Sequence, residues 1–325
     1  MITVKNLNKI YIVHTRRKNL FLDVFARQYK EIHALNNISF DIGEDELVGF
    51  IGPNGAGKTT TLKILSGILY PTSGMVSVMN TTPFEKEPRF LKRIAFVMGQ
   101  RNQLIWDLST RDSLQLQKTI YEINDTNFKK NVNELTELLD ANELLDKPVK
   151  TLSLGQRMKM ELVVGLLHRP KIIFFDEPTI GLDIFSQEAI RNFIKSYQSE
   201  TKATIILTSH YLEDVKRLAK RLIIIHNGSI VYDGGLHNII EQYTVEKRVV
   251  VTLDKMVNDT ELRGIGVPFT LSYPKVTFLI KKGFLPEKIK HITQSLPFSD
   301  LTVEDESIEE IIKSFFKEHH GISRT

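Results

Sequence analysis

The chain has 325 residues, 42% of them hydrophobic, and a formal net charge of +4. That length supports one large or two moderate domains with substantial cores, and the charge is too mildly basic to argue for a nucleic-acid partner. There is no cysteine, which excludes disulfides and thiolate metal sites and suits a reducing cytoplasm.

Met1–Lys5 reads as the start of a strand and lacks the apolar core of a signal peptide. No apolar run approaches the roughly 20 residues of a spanning helix, so any membrane role must come through partners. Residues 2–7, 38–42 and 46–51 read as strands. Between the first two lies a basic insertion, residues 12–33, in which Arg16, Arg17, Lys18, Arg27 and Lys30 outnumber Asp23 and Glu31. Leu20, Phe21, Val24, Phe25 and Tyr29 can share one stripe of a helix. Such a helix suits an anionic membrane surface or a groove on a membrane partner. It suits equally a helix packed on its own domain with a solvated basic face.

A helix over 59–69 follows a glycine-rich loop, and 94–98 is an apolar strand. Residues 109–146 read as mostly helical with Pro148 as the breaker, and 157–168 as another helix. Residues 171–175 are wholly apolar, as in a strand covered on both faces. A helix over 186–199 and strands over 204–208 and 222–226 follow, then a turn at Asn227-Gly228 into 229–232. This alternation predicts a mainly parallel sheet covered by helices. Beyond residue 244 the pattern changes to strands near 248–253, 276–280 and 300–303 with helices near 286–294 and 308–317. Two domains are therefore expected, 1–244 and a small α+β unit over 245–325.

Three motifs carry chemistry. Gly52-Pro53-Asn54-Gly55-Ala56-Gly57-Lys58-Thr59 fits G-x-x-x-x-G-K-[ST], between a strand and a helix that continues with Thr60. Its glycines let backbone amides wrap phosphate oxygens at a helix N-terminus, with Lys58 reaching the β- and γ-phosphates and Thr59 holding Mg²⁺. Asp176 and Glu177 end the strand Ile172–Phe175, where Asp176 can hold Mg²⁺ and Glu177 can act as general base on water. His210 ends strand 204–208 and Gln100 follows strand 94–98, placing a γ-phosphate donor and an amide ligand for Mg²⁺ at the same sheet end. The third motif is Leu152-Ser153-Leu154-Gly155-Gln156-Arg157.

With Gly181-Leu182-Asp183, these motifs in this order resemble ABC-type ATPases over about residues 1–240. The resemblance implies a P-loop NTPase of that α/β type: a mainly parallel core sheet, an antiparallel β subdomain, a helical subdomain over about 101–168, and a small α+β appendage. It implies a head-to-tail dimer of two copies with two ATP molecules between them. Ser153, Gly155 and Gln156 would contact the γ-phosphate bound by the partner, and Asp183 would sit at the seam. Leu154 departs from the family's glycine. An adenine-stacking aromatic is also implied; Tyr11 is preferred over Tyr29. The segment from Met98 to Leu108 looks most like bacterial ATPases paired with two ABC-2-type permeases, a group assigned to multidrug or viologen export. Leu104 and Trp106 would then anchor a coupling helix, or Trp106 would be core. The expected place is the cytoplasmic face of the membrane; the alternative is a soluble ABC ATPase without a transport partner.

Overall fold

A computed structural model describes residues 1–15, 28–99, 103–209, 211–243, 246–305, 310–312 and 315–316. Residues 16–27, Gln100 and His210, all named in the sequence analysis, lie outside the described residues. The chain divides into two compact units, Met1–Gly235 and Leu236–Thr325. The division thus falls ahead of the change in sequence pattern at residue 244.

Along the first unit run β1 (Ile2–Thr15), β2 (Gln28–Ile42), β3 (Leu47–Ile51), α1 (Lys58–Leu65), β4 (Ser73–Val78), α2 (Pro88–Leu91), β5 (Ile94–Met98) and α3 (Thr110–Ile120). Then come α4 (Asp125–Leu138), α5 (Leu154–Leu166), β6 (Ile172–Asp176), α6 (Ile184–Thr201), β7 (Thr204–Thr208), α7 (Leu212–Leu218), β8 (Arg221–His226) and β9 (Ser229–Gly235). Six strands form the central sheet in the order β5-β6-β7-β3-β8-β9. All neighbours are parallel except β8 and β9, the hairpin joined by Asn227-Gly228.

The sheet is covered on both faces, which explains the unbroken apolar runs of its inner strands. On one face Ile173, Phe175, Ile205 and Leu207 pack with α3, α4, α5 and α6. On the other, Ile172, Phe174 and Ile206 pack with α1 and with a three-stranded antiparallel sheet, order β2-β1-β4. The strand order puts the C-terminal ends of β3, β6 and β7 side by side. That is where a doubly covered parallel sheet presents a ligand site.

The expected helix across the insertion is corrected at its described ends. Tyr11 pairs with Ile32, Val13 with Lys30 and Thr15 with Gln28, so β1 and β2 continue as an antiparallel ribbon. Tyr29 lies in β2 rather than on a helical stripe. Strand β4 pairs with β1 only from Ile2 to Asn8, leaving the rest of the ribbon two-stranded.

The second unit holds α8 (Leu236–Tyr243), β10 (Glu246–Leu253), α9 (Asp259–Gly264), β11 (Phe269–Ser272), β12 (Lys275–Lys281), α10 (Leu285–Ser295) and β13 (Phe298–Asp305). Its strands form one antiparallel sheet, order β11-β12-β10-β13. Val249, Val251, Val276, Phe278 and Ile280 alternate onto one face and meet Leu262 of α9 and Ile292 of α10, the period-two pattern of a half-covered sheet.

Candidate functional site

The phosphate loop fills the step from β3 to α1. Gly57 caps α1 at φ 114, and a Cβ there would lie 2.6 Å from Leu35 Cδ2 and 2.7 Å from the Ala34 carbonyl oxygen. Only glycine meets both demands without strain. The amides of Lys58, Thr59 and Thr60 have no acceptor inside their own helix, as at any helix start. These residues line an open cleft of about 520 Å³ together with Asn54, Asp176 and Glu177. A helix N-terminus with a lysine in its first turn is an anion site.

Lys58 is buried, its Nζ donating to the carbonyl oxygens of Gly52 (2.7 Å) and Pro53 (3.1 Å). Burial pushes its pKa below the usual lysine range, and the nearby charges of Glu177 and Asp176 oppose that shift. Ala56 is buried beneath the loop, its amide donating to Pro53 O (3.2 Å).

Asp176 collects two hydroxyls on one oxygen: Thr59 Oγ1 donates to Oδ1 at 3.1 Å and Thr208 Oγ1 at 2.7 Å. Thr208 Oγ1 also accepts the amide of Glu177 at 3.1 Å. Thr208 was passed over in the sequence, where its one signal is a polar residue closing an apolar strand. Glu177 holds φ at 56°, a left-handed backbone that costs a non-glycine residue about 1 kcal/mol. The hydrogen bonds to Thr208 hold it there.

Ser153 caps α5. Its Oγ accepts the Gln156 amide (3.3 Å) while Gln156 Oε1 accepts the Ser153 amide (3.0 Å), a reciprocal capping box. The motif therefore begins the helix rather than preceding it. Gly155 is buried, and a Cβ on it would fall 2.2 Å from Ser186 Oγ, so a larger residue would push α5 off the start of α6. Ser186 in turn donates to Asp183 from its amide (2.9 Å) and hydroxyl (2.6 Å), which depresses the Asp183 pKa. Leu154 reaches the other way: its Cδ2 lies 3.4 Å from where a Cβ of Gly181 would stand. Ile184 and Phe185, next to Asp183, are 78% and 87% exposed.

Neither Tyr11 nor Tyr29 is among the described residues that line the cleft. Tyr11 is exposed with Lys9 Nζ 5.2 Å over its ring, and Tyr29 meets His14 edge-on at 5.9 Å. Leu104 is buried in the helical core and is not a surface anchor. Trp106 is half exposed, with the Arg157 guanidinium 5.8 Å over its ring. Leu91, Phe96, Ile120, Tyr121 and His168 line a second groove of about 480 Å³.

A family model described as "ABC transporter" matches residues 35–180. Over 242 residues the chain is 32% identical to the ABC transporter ATP-binding protein NatA of Bacillus subtilis (strain 168), covering 74% of this chain and 96% of that protein. It is 30% identical over 221 residues to the Nod factor export ATP-binding protein I of Ralstonia nicotianae (strain ATCC BAA-1114 / GMI1000), covering 68% of each. The dimeric structure of a bacterial ABC transporter cassette matches at a TM-score of 0.61 and 26% identity, over 73% of this chain and 99% of that one.

Proposed function

The chain belongs to the ATP-binding proteins of ABC transporters, and on that footing we propose that it hydrolyses ATP to drive export through two separate membrane permeases of ABC-2 type. The observation that carries this is one cleft uniting the phosphate-loop amides, Lys58, Thr59, Asp176 and Glu177. The triphosphate would lie on the α1 N-terminus, with Gly52, Pro53, Asn54, Gly55, Ala56, Gly57 and Thr60 shaping its bed and Lys58 on the β- and γ-phosphates. The all-oxygen pair Thr59–Asp176, joined at 3.1 Å, suits Mg²⁺, which when bound would neutralise charge on the phosphate oxygens. Glu177 would take the proton of the attacking water. His210 keeps its proposed γ-phosphate contact, Gln100 its proposed place as a Mg²⁺ ligand, and Tyr11 its proposed place on adenine.

A second copy, docked head to tail, would add Ser153, Gly155 and Gln156 to the γ-phosphate, with Asp183 at the seam. The capping box and the Leu154 and Gly155 amides, which have no acceptor inside their own helix, support that reading. The 480 Å³ groove lined by Leu91, Phe96, Ile120 and Lys92 is proposed as the seat of a permease segment. The ribbon of β1 and β2, with Ile12, Val13 and Ile32 exposed, is proposed as a second contact on the membrane side. Among the described residues no helix is long and apolar enough to cross a membrane, which fits a peripheral place at its cytoplasmic face. Export rather than uptake rests on the likeness to an export protein.

The direct test is Glu177→Gln in the full chain with MgATP. Turnover should fall about 100-fold or more, while the chain still binds nucleotide and elutes as a dimer. Normal turnover in this variant would remove Glu177 from the chemistry. Co-purification with ribosomes instead of membrane subunits would support the soluble alternative.

A further inference from the structure

Behind the cleft lies a buried polar cluster that the chemistry above does not use. Asp214, in the first turn of α7, is 1% exposed. Its Oδ2 accepts hydroxyls from Thr179 and Ser209, each at 2.5 Å, and its Oδ1 accepts Arg191 Nε at 2.6 Å. Thr179, Ser209 and Arg191 are themselves 1%, 4% and 7% exposed.

The donors come from three segments that meet at the site. Thr179 lies two residues after Glu177, in a turn closed by Ile180 N to Glu177 O (3.2 Å) and Leu182 N to Thr179 O (3.3 Å). Ser209 follows Thr208, whose hydroxyl orients Asp176, and directly precedes His210 in sequence. Arg191 stands on α6, the helix that Asp183 caps, and its Nη2 donates to Gln187 Oε1 at 3.0 Å. Gln187 Nε2 closes the circuit onto the Leu182 carbonyl at 3.1 Å, next to Asp183.

We propose that Asp214 is a positioning residue that locks the Glu177 turn, the end of β7 and the start of α6 into one body. Buried carboxylates persist where every lone pair in use has a strong donor, and this one draws its donors from three separate segments. The turn it holds begins with Glu177 in a left-handed backbone, a conformation that survives only when its surroundings fasten it. A fixed turn sets the distance from the Glu177 carboxylate to the attacking water. It also makes the Asp183 end of α6 move with Glu177 rather than independently. Thr179, Ser209 and Arg191, the donors to Asp214, all lie outside the phosphate loop, so nucleotide binding and turnover should separate.

The inference rests on Glu177 being the general base. It is tested on the full-length chain by steady-state ATP hydrolysis of Asp214→Asn, Thr179→Val and Ser209→Ala beside wild type and Glu177→Gln. Asp214→Asn should lower kcat about tenfold, and each hydroxyl variant several-fold, with KM for ATP within about twofold of wild type. If Asp214→Asn does not fold, the two hydroxyl variants, which keep the Arg191 pair, carry the test. Melting temperatures that fall while kcat stays at the wild-type value would overturn the proposal and leave the cluster purely structural, as would kcat and KM falling together. A wild-type chain that hydrolyses no ATP would overturn the hydrolysis reading and this one with it. An active wild type with an inactive Glu177→Gln and normal hydroxyl variants would overturn only this one.

Discussion

Glu161 is 2% exposed on α5, yet it is an acid inside the helical core. Its Oε2 accepts the Gln103 amide at 2.8 Å and its Oε1 the Leu104 amide at 3.3 Å, so the helix that Ser153 caps holds the loop after Gln100. Burial raises its pKa, against the opposing pull of those two amides and of Arg157. The folded protein therefore favours the protonated form more than the unfolded chain does. That contribution to stability is fully present below the ordinary glutamate pKa and is lost as pH rises through the raised one. Glu161→Gln cannot ionise. The melting temperature of the variant minus that of wild type should rise from acid to neutral pH, as followed by thermal denaturation; a flat difference would show that Glu161 does not titrate in this window. The step from strand through loop to helix at Gly57-Lys58-Thr59 was legible because the spacing of those residues is what forms it. Glu161 and Asp214 were not legible, because an acid on an amphipathic helix reads as solvent-facing until the packing partner is known.

At the scale of elements, Arg221 fastens the antiparallel sheet to the parallel one. From the start of β8 it donates through Nε and Nη2 to both carboxylate oxygens of Asp233 on β9, at 2.7 and 2.9 Å. Nη1 reaches Glu46 Oε1 at 3.0 Å before β3, and Nη2 the Asp41 carbonyl of β2 at 2.9 Å. Truncating one partner of so connected a network leaves acids facing each other, so Arg221→Met should cost about 2 kcal/mol in urea denaturation. Arg221→Lys should recover less than half, because an ammonium cannot bridge both acids as a fork does; full recovery would mean that charge alone suffices. The buried strands were legible because both faces are covered and the runs are apolar throughout. The ribbon was not. Tyr11, Ile12, Val13, Tyr29 and Ile32 are exposed on its two strands, and with no covered face there is no period of two to read. Strand β4 was missed for a related reason, opening on Ser73-Gly74 with its first three residues exposed.

At the scale of the whole molecule, the first unit presents two surfaces that the proposed head-to-tail dimer would bring together across copies. One is the cleft around Lys58, Asp176 and Glu177; the other is the Ser153–Gln156 box locked to Asp183 through Gly155 and Ser186. The departure at Leu154 leaves that lock intact, since its side chain packs on Gly181 while Ser153 and Gly155 keep the capping geometry. Exposed Ile184 and Phe185 beside Asp183 are consistent with a surface that a second copy covers. If each ATP lies between the cleft of one chain and the box of another, lesions in the two half-sites should complement. Lys58→Ala and Ser153→Arg chains should each be inactive alone. Mixed in equal amounts, half the dimers would pair unlike chains and hold one intact site, restoring about a quarter of wild-type ATP turnover. A mixture as inactive as its components, from chains shown to exchange partners, would contradict the shared site.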